Sequence, residues 1–165
     1  MAGCAREPVP EPLLTELRPA RSPEAAVAMP VDAAPELAPA DDRHRLHPAE
    51  GTLAIAAPAQ VATRASATVT LTLTAGPGFR VNEDFPVRLV LVPPPGLAVA
   101  KPSLTRADAL ASDDHHLVLG TDLVASDAGS YALTGRFKFA LCQRDVCFTK
   151  DEPIAIQLTA APRSP

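Results

Sequence analysis

The segment FALCQRDVCF, residues 139–148, sets Cys142 and Cys147 on either side of four residues, at the end of a strongly patterned run. Two thiols at this spacing support three chemistries: a structural disulfide, a redox couple cycling between dithiol and disulfide, or two legs of a metal site. If the flanking strands pair as a hairpin, Cys142 lies opposite Cys147, within reach of a disulfide. Closing so small a ring stabilises a fold by roughly 2 kcal/mol in the loop-entropy picture, against roughly 5 kcal/mol for a ring of about 100 residues. A staple would do more between distant strands, and short exposed disulfides are those most readily exchanged. Arg144 favours a thiolate and Asp145 opposes it, so the loop charges leave both disulfide readings open. Zinc requires two further ligands. His115 and His116 are adjacent candidates that face opposite ways on a strand, so at most one can join. The expectation is that the site holds no metal and no cofactor.

The elements that position these cysteines follow a period of two. ATVTLTLTA places Val69, Leu71 and Leu73 on one face and Thr68, Thr70, Thr72 and Thr74 on the other, the pattern of a half-buried strand. In SYALTGRFKFALC, residues Tyr131, Leu133, Phe137, Phe139 and Leu141 share a face, with Gly135 among them. By this parity Cys142 falls with Arg136 and Lys138, so its sulfur is directed off the core and the bridge is expected to be partly exposed. TLAIAA, FPVRLVLV, HHLVLGTDLVAS and PIAIQLTA supply further strands, and SLTRADALAS is expected to form no more than a helical turn. Six or seven short strands over about 110 residues predict an all-β fold, an immunoglobulin-like antiparallel β-sandwich. Val69, Leu71, Leu73, Leu89, Leu133, Phe137, Phe139, Ile156 and Leu158 are its expected core.

The first third of the chain obeys different physics. Nine of the nineteen prolines precede residue 51, among many Ala and Glu. Proline fixes φ and lacks an amide donor, and Ala buries too little surface to offset the entropy of ordering. Residues 1–48 are therefore expected to be a disordered Pro/Ala-rich tether, with the sandwich domain spanning 49–162. Ala2, Gly3 and Cys4, followed at once by a polar Pro-rich stretch, resemble the end of a bacterial lipoprotein signal. Cys4 is the lipidation candidate, with a leader expected upstream of Met1. A lipid at Cys4 would be the chain's only attachment to a membrane, because no run of about 18 apolar residues exists. A net charge of −4 argues against nucleic-acid binding, which requires a basic face. With no G-x-S-x-G motif, a hydrolase has no support.

Residues 76–158 resemble the N-terminal periplasmic domain of the thiol:disulfide interchange protein DsbD. GPGFRVNEDFP is similar to an early segment of that family through Gly78, Phe79, Asn82 and Pro86. GRFKFALCQRDVCF is similar to its double-cysteine strand and hairpin, and an alternating apolar strand follows in both. The spacing of the cysteines is one residue shorter than the family's usual one, and Phe148 and Thr149 stand where a Pro often follows.

The resemblance implies an immunoglobulin-like domain in the periplasm or cell envelope; an anchor at Cys4 would come from the separate likeness to a lipoprotein signal. Its redox disulfide would be Cys142–Cys147, with Phe79 and Phe148 as candidates to shield it. The pair would pass electrons to or from a separate protein, a thioredoxin-like or membrane thiol–disulfide oxidoreductase. The alternative is a non-catalytic envelope binding module in which the disulfide is a local staple.

Overall fold

The computed structural model describes residues 42–163. Cys4 and the expected tether up to residue 41 lie outside the described residues. Eleven strands follow in chain order: β1 Gly51–Ala56, β2 Gln60–Ala62, β3 Ser66–Ala75, β4 Phe79–Val81, β5 Arg88–Val92, β6 Leu97–Val99, β7 Ser103–Thr105, β8 Ala109–Ser112, β9 His116–Ala125, β10 Gly129–Gln143 and β11 Val146–Ala161. They form two sheets. One runs β1-β3-β9-β6 with β8 also on β9, and the other runs β2-β11-β10-β5-β7 with β4 also on β10. Every pairing is antiparallel except the short parallel contact of β2 with the end of β11. The fold is an immunoglobulin-like β-sandwich.

Period-two patterning decides what lies between the sheets. Leu73, Leu133, Phe137 and Phe139 are fully buried, and the rest of the expected core joins them in one cluster. The rings of Phe137 and Phe139, two residues apart on one face of β10, lie 4.7 Å apart. Gly135 interrupts that apolar face because β5 comes too close: a Cβ there would stand 2.4 Å from the carbonyl oxygen of Val90. Pro153 sits inside the long strand β11, opposite Arg136 of β10. Its missing N–H costs no ladder bond, because β2 reaches only Thr159–Ala161 on the other side, in keeping with proline's restriction to unpaired edges.

Two readings of the sequence change. SLTRADALAS contributes β7 and β8 on either side of a 3-10 turn at Arg106–Asp108, because Asp108 Oδ2 accepts from the Thr105 backbone N–H at 2.9 Å and closes the turn within three residues. The boundary placed at residue 48 also moves, since residues from at least 42 onward belong to the sandwich. Their contacts, given below, depend on charged side chains that the apolar pattern does not register.

Phe137→Ala is expected to lower the free energy of unfolding by about 3–5 kcal/mol in a denaturant titration. A loss well below about 1 kcal/mol would mean that the odd-numbered face of β10 is not the interior.

Candidate functional site

The long pairing of β10 with β11 ends in a tight hairpin. Gln143 pairs with Val146 and Cys142 with Cys147, leaving Arg144 and Asp145 as a two-residue loop. Arg144 adopts φ 54°, a left-handed conformation that costs a side-chain-bearing residue about 1–2 kcal/mol. Cross-strand opposition brings the two thiols together, and they form a disulfide with a Cα–Cα distance of 4.0 Å.

The two halves of the bridge are not equivalent. Cys147 is exposed, whereas Cys142 retains only 2 % of its surface. Cys142 lies on the outer face as parity expects, and the bridge is partly exposed, but only through Cys147. At this level β10 is the middle strand of three, and Cys142 has Arg80 of β4 on one side and Cys147 of β11 on the other. A side chain in the centre of such a row is covered by its neighbours even on the outer face of the sheet.

The aromatic residues expected to shield the pair flank the hairpin, and Phe79 lines one cleft together with Cys142. Phe79 pairs with Gln143, and Phe148 with Leu141. Both rings therefore share the face of Leu141, opposite the sulfurs. Their centroids are 6.5 Å apart, and Phe148 remains exposed at the rim of the sandwich.

The sulfur's neighbour is Asn82, whose Nδ2 donates toward Cys147 Sγ at 3.4 Å. It stands just past β4, after a turn in which Gly78 holds φ 78° and the Phe79 N–H reaches the Gly76 carbonyl at 3.0 Å. The resemblance matched Asn82 by position without giving it a role. A cleft of about 220 Å³ beside the bridge is bounded by Arg80, Asn82, Glu83, Asp84 and Asp114 together with both cysteines. The bridge thus borders open space at one end of the sandwich, with carboxylates outnumbering the single guanidinium in that cleft.

On the core face behind the hairpin, charge replaces apolar packing. Lys150 and Glu152 occupy the same parity as Ile154, Ile156 and Leu158, yet both are buried. Residues 42–50 lie across them. Lys150 Nζ donates to the Arg45 carbonyl at 3.0 Å and meets Glu50 Oε2 at 2.5 Å. Glu152 accepts from the Leu46 N–H through one oxygen and faces Arg45 Nε at 3.4 Å through the other. Crossing backbone exposes N–H and C=O groups that an apolar strand face would leave unsatisfied, and a buried charge of each sign satisfies both kinds. Burial works against ionisation of Glu50, but hydrogen bonds from Lys150 and from the His47 backbone outweigh it and hold the carboxyl below its usual range. The missed signal was the run Lys150-Asp151-Glu152 in an otherwise alternating strand.

His115 and His116 do not converge on the cysteines together. The backbone N–H groups of His115 and then His116 hold the Asp113 carboxyl below the usual range, and the His116 ring turns to Asp113 at 3.3 Å. Among the described residues no group of three or more His, Cys, Asp and Glu side chains is placed to hold a metal ion.

No protein-family model and no curated protein sequence matches the chain. Similar solved structures include a cohesin module from a family 33 glycoside hydrolase of Clostridium perfringens, at 10% identity and TM-score 0.45, covering 70% of this chain and 99% of that one. AggA, the major subunit of aggregative adherence fimbriae type I from Escherichia coli, aligns at 12% identity and TM-score 0.37 over 67% of this chain and 94% of its own. BslA, a bacterial hydrophobin, aligns at 14% identity and TM-score 0.28 over 70% and 97%. These likenesses are too distant to bear on what this chain does, and the sandwich assignment rests on its own two sheets.

The depressed ionisation of Glu50 has a definite sign for stability. A carboxyl whose folded pKa lies below its unfolded value of about 4.5 stabilises the fold above that value, and the contribution disappears as pH falls through the folded pKa. Unfolding titrations are expected to show stability dropping below about pH 4.5. Glu50→Gln is expected to lose about 1–3 kcal/mol at pH 7 and to flatten the dependence. Identical pH curves for the variant and the parent would remove Glu50 from the contact with Lys150.

Proposed function

We propose that this chain is an envelope thiol–disulfide exchange domain of the kind found at the N-terminus of DsbD, working through Cys142–Cys147. The observation that carries this reading is the asymmetry of the bridge: an exposed Cys147 beside an open cleft, joined to a buried Cys142. A bond whose purpose is stability has little to do here. β10 and β11 are already in register along the whole 15-residue length of β10, and a ring this short adds roughly 2 kcal/mol in the loop-entropy picture. An oxidising compartment is where such a bridge persists, which supports placement in the periplasm or cell envelope. Lipid attachment at Cys4 belongs to the same proposal.

In the exchange, a thiolate of a separate thioredoxin-like or membrane oxidoreductase attacks Cys147 Sγ, the accessible end. The Cys142–Cys147 bond breaks, and Cys142 leaves as a thiolate. Arg80, its cross-strand neighbour, stabilises that negative charge. The partner's second thiolate then attacks its own sulfur in the mixed disulfide. Cys147 is released, the partner is left oxidised, and two electrons have moved to this domain. Run in reverse, the same steps reduce a partner's disulfide.

The burial asymmetry sets the order of attack, because Cys147 is the exposed sulfur and Cys142 the buried one. Cys142→Ala, which leaves Cys147 free, is expected to form a mixed disulfide with oxidised glutathione about tenfold faster than Cys147→Ala does. The rates are read site by site from peptide masses so that Cys4 does not interfere. The parent, with its Cys142–Cys147 bond intact, should also trap a thioredoxin-like protein bearing a single active-site cysteine: that thiolate attacks Cys147, Cys142 leaves, and no second partner thiol is there to resolve the mixed disulfide. If neither variant reacts faster than a cysteine in an unstructured peptide, the bridge is a staple in a binding module.

A further inference from the structure

The orientation of Asn82 is fixed by more bonds than a surface asparagine needs. Its backbone N–H donates to the Ala140 carbonyl at 2.9 Å, and its own carbonyl accepts from an Arg106 guanidinium nitrogen at 2.6 Å. The side-chain oxygen Oδ1 accepts from the backbone N–H groups of Asp84 at 2.8 Å and Phe85 at 3.2 Å. An amide oxygen engaged by two N–H donors cannot exchange places with its nitrogen, because the flipped amide would set donor against donor. The remaining group, Nδ2, is therefore held toward Cys147 Sγ, 3.4 Å away.

We propose that Asn82 is the hydrogen-bond donor that stabilises Cys147 as a thiolate whenever the bridge opens. This rests on the exchange reading for its biological use, though not for its chemistry. A disulfide sulfur is a weak acceptor, whereas a thiolate is an anion, and donors bind anions about twice as strongly as neutral acceptors. The same N–H therefore contributes little to the oxidised state and more to the reduced one. It acts when the partner's second thiolate attacks the mixed disulfide: the bond between Cys147 and the partner's sulfur breaks, and the departing electron pair stays on Cys147 Sγ in front of Nδ2. In the opposite direction the same contact keeps Cys147 ionised as the nucleophile. Asn82 assists this sulfur alone. Cys142 instead lies opposite Arg80 in the register of β4 with β10.

The test uses the full chain with its disulfide reduced, and follows alkylation of Cys147 by iodoacetamide against pH, with peptide masses separating it from Cys142 and Cys4. Asn82→Ala removes the donor without adding charge. Asn82→Asp keeps an oxygen to accept from Asp84 and Phe85 while replacing the donor with a carboxylate. Both variants are expected to shift the alkylation profile to higher pH, with the rate at pH 7 reduced roughly tenfold, the equivalent of one unit in the profile. The unfolding midpoint of Asn82→Asp should stay at that of the parent. A parental alkylation profile in Asn82→Ala overturns the proposal, and a lowered unfolding midpoint alongside that profile assigns Asn82 to loop structure alone. If the variants shift as expected while the parent's bridge never exchanges with glutathione, the donor assignment stands and the exchange function falls.

Discussion

The pairing of β10 with β11 is the constraint on which the rest of the molecule depends. One unbroken antiparallel register runs from Gly129 opposite Ala160 to Gln143 opposite Val146. A side-chain period of two allows no slip, because a shift of β11 by one residue would turn Ile154, Ile156 and Leu158 out of the core together. That register also places Cys142 opposite Cys147 and assigns the two faces of the tip different tasks. Phe79, Leu141 and Phe148 share the core side, while Arg80 and the two sulfurs share the other. The disulfide is thus a consequence of packing some distance away from it.

Behind the tip the opposing sheet gives way to residues 42–50. A polypeptide segment crossing a strand brings polar backbone with it, and β11 answers with Lys150 and Glu152 where its pattern would otherwise call for apolar side chains. Buried charges of this kind are tolerated only when fully paired, and here they join the chain before β1 to the strand that carries Cys147. The charged contact therefore supports the hairpin from the core side, and Asn82 and Arg80 approach the bridge from the other.

Much of the architecture was legible in the sequence because strand parity is a local signal. ATVTLTLTA and SYALTGRFKFALC declare their inner faces residue by residue, and all nine expected core side chains are buried. The cysteine pairing was legible as one of three options from the spacing, since a short loop between strands leaves little choice of partner. Burial of Cys142 was not, because it depends on β4 lying alongside β10, a contact between residues about sixty apart in sequence. The face taken by Phe79 and Phe148 was not legible for a related reason: sequence proximity to a cysteine says nothing about sharing its face. Residues 42–48 were read as tether because their composition is polar, and their partners Lys150 and Glu152 are more than a hundred residues away.

The central claim is that the Cys142–Cys147 bond is there to be exchanged. The equilibrium reduction potential of this pair tests it most directly, measured on the full chain against a graded series of glutathione or dithiothreitol buffers and read by the masses of the alkylated cysteines. Structural disulfides of secreted proteins lie below about −300 mV, and labile ones are more oxidising. A bridge exposed at Cys147 and closing a short ring, with an amide donor 3.4 Å from that sulfur, should titrate above that value. A midpoint far below it would mean that the hairpin carries a permanent staple.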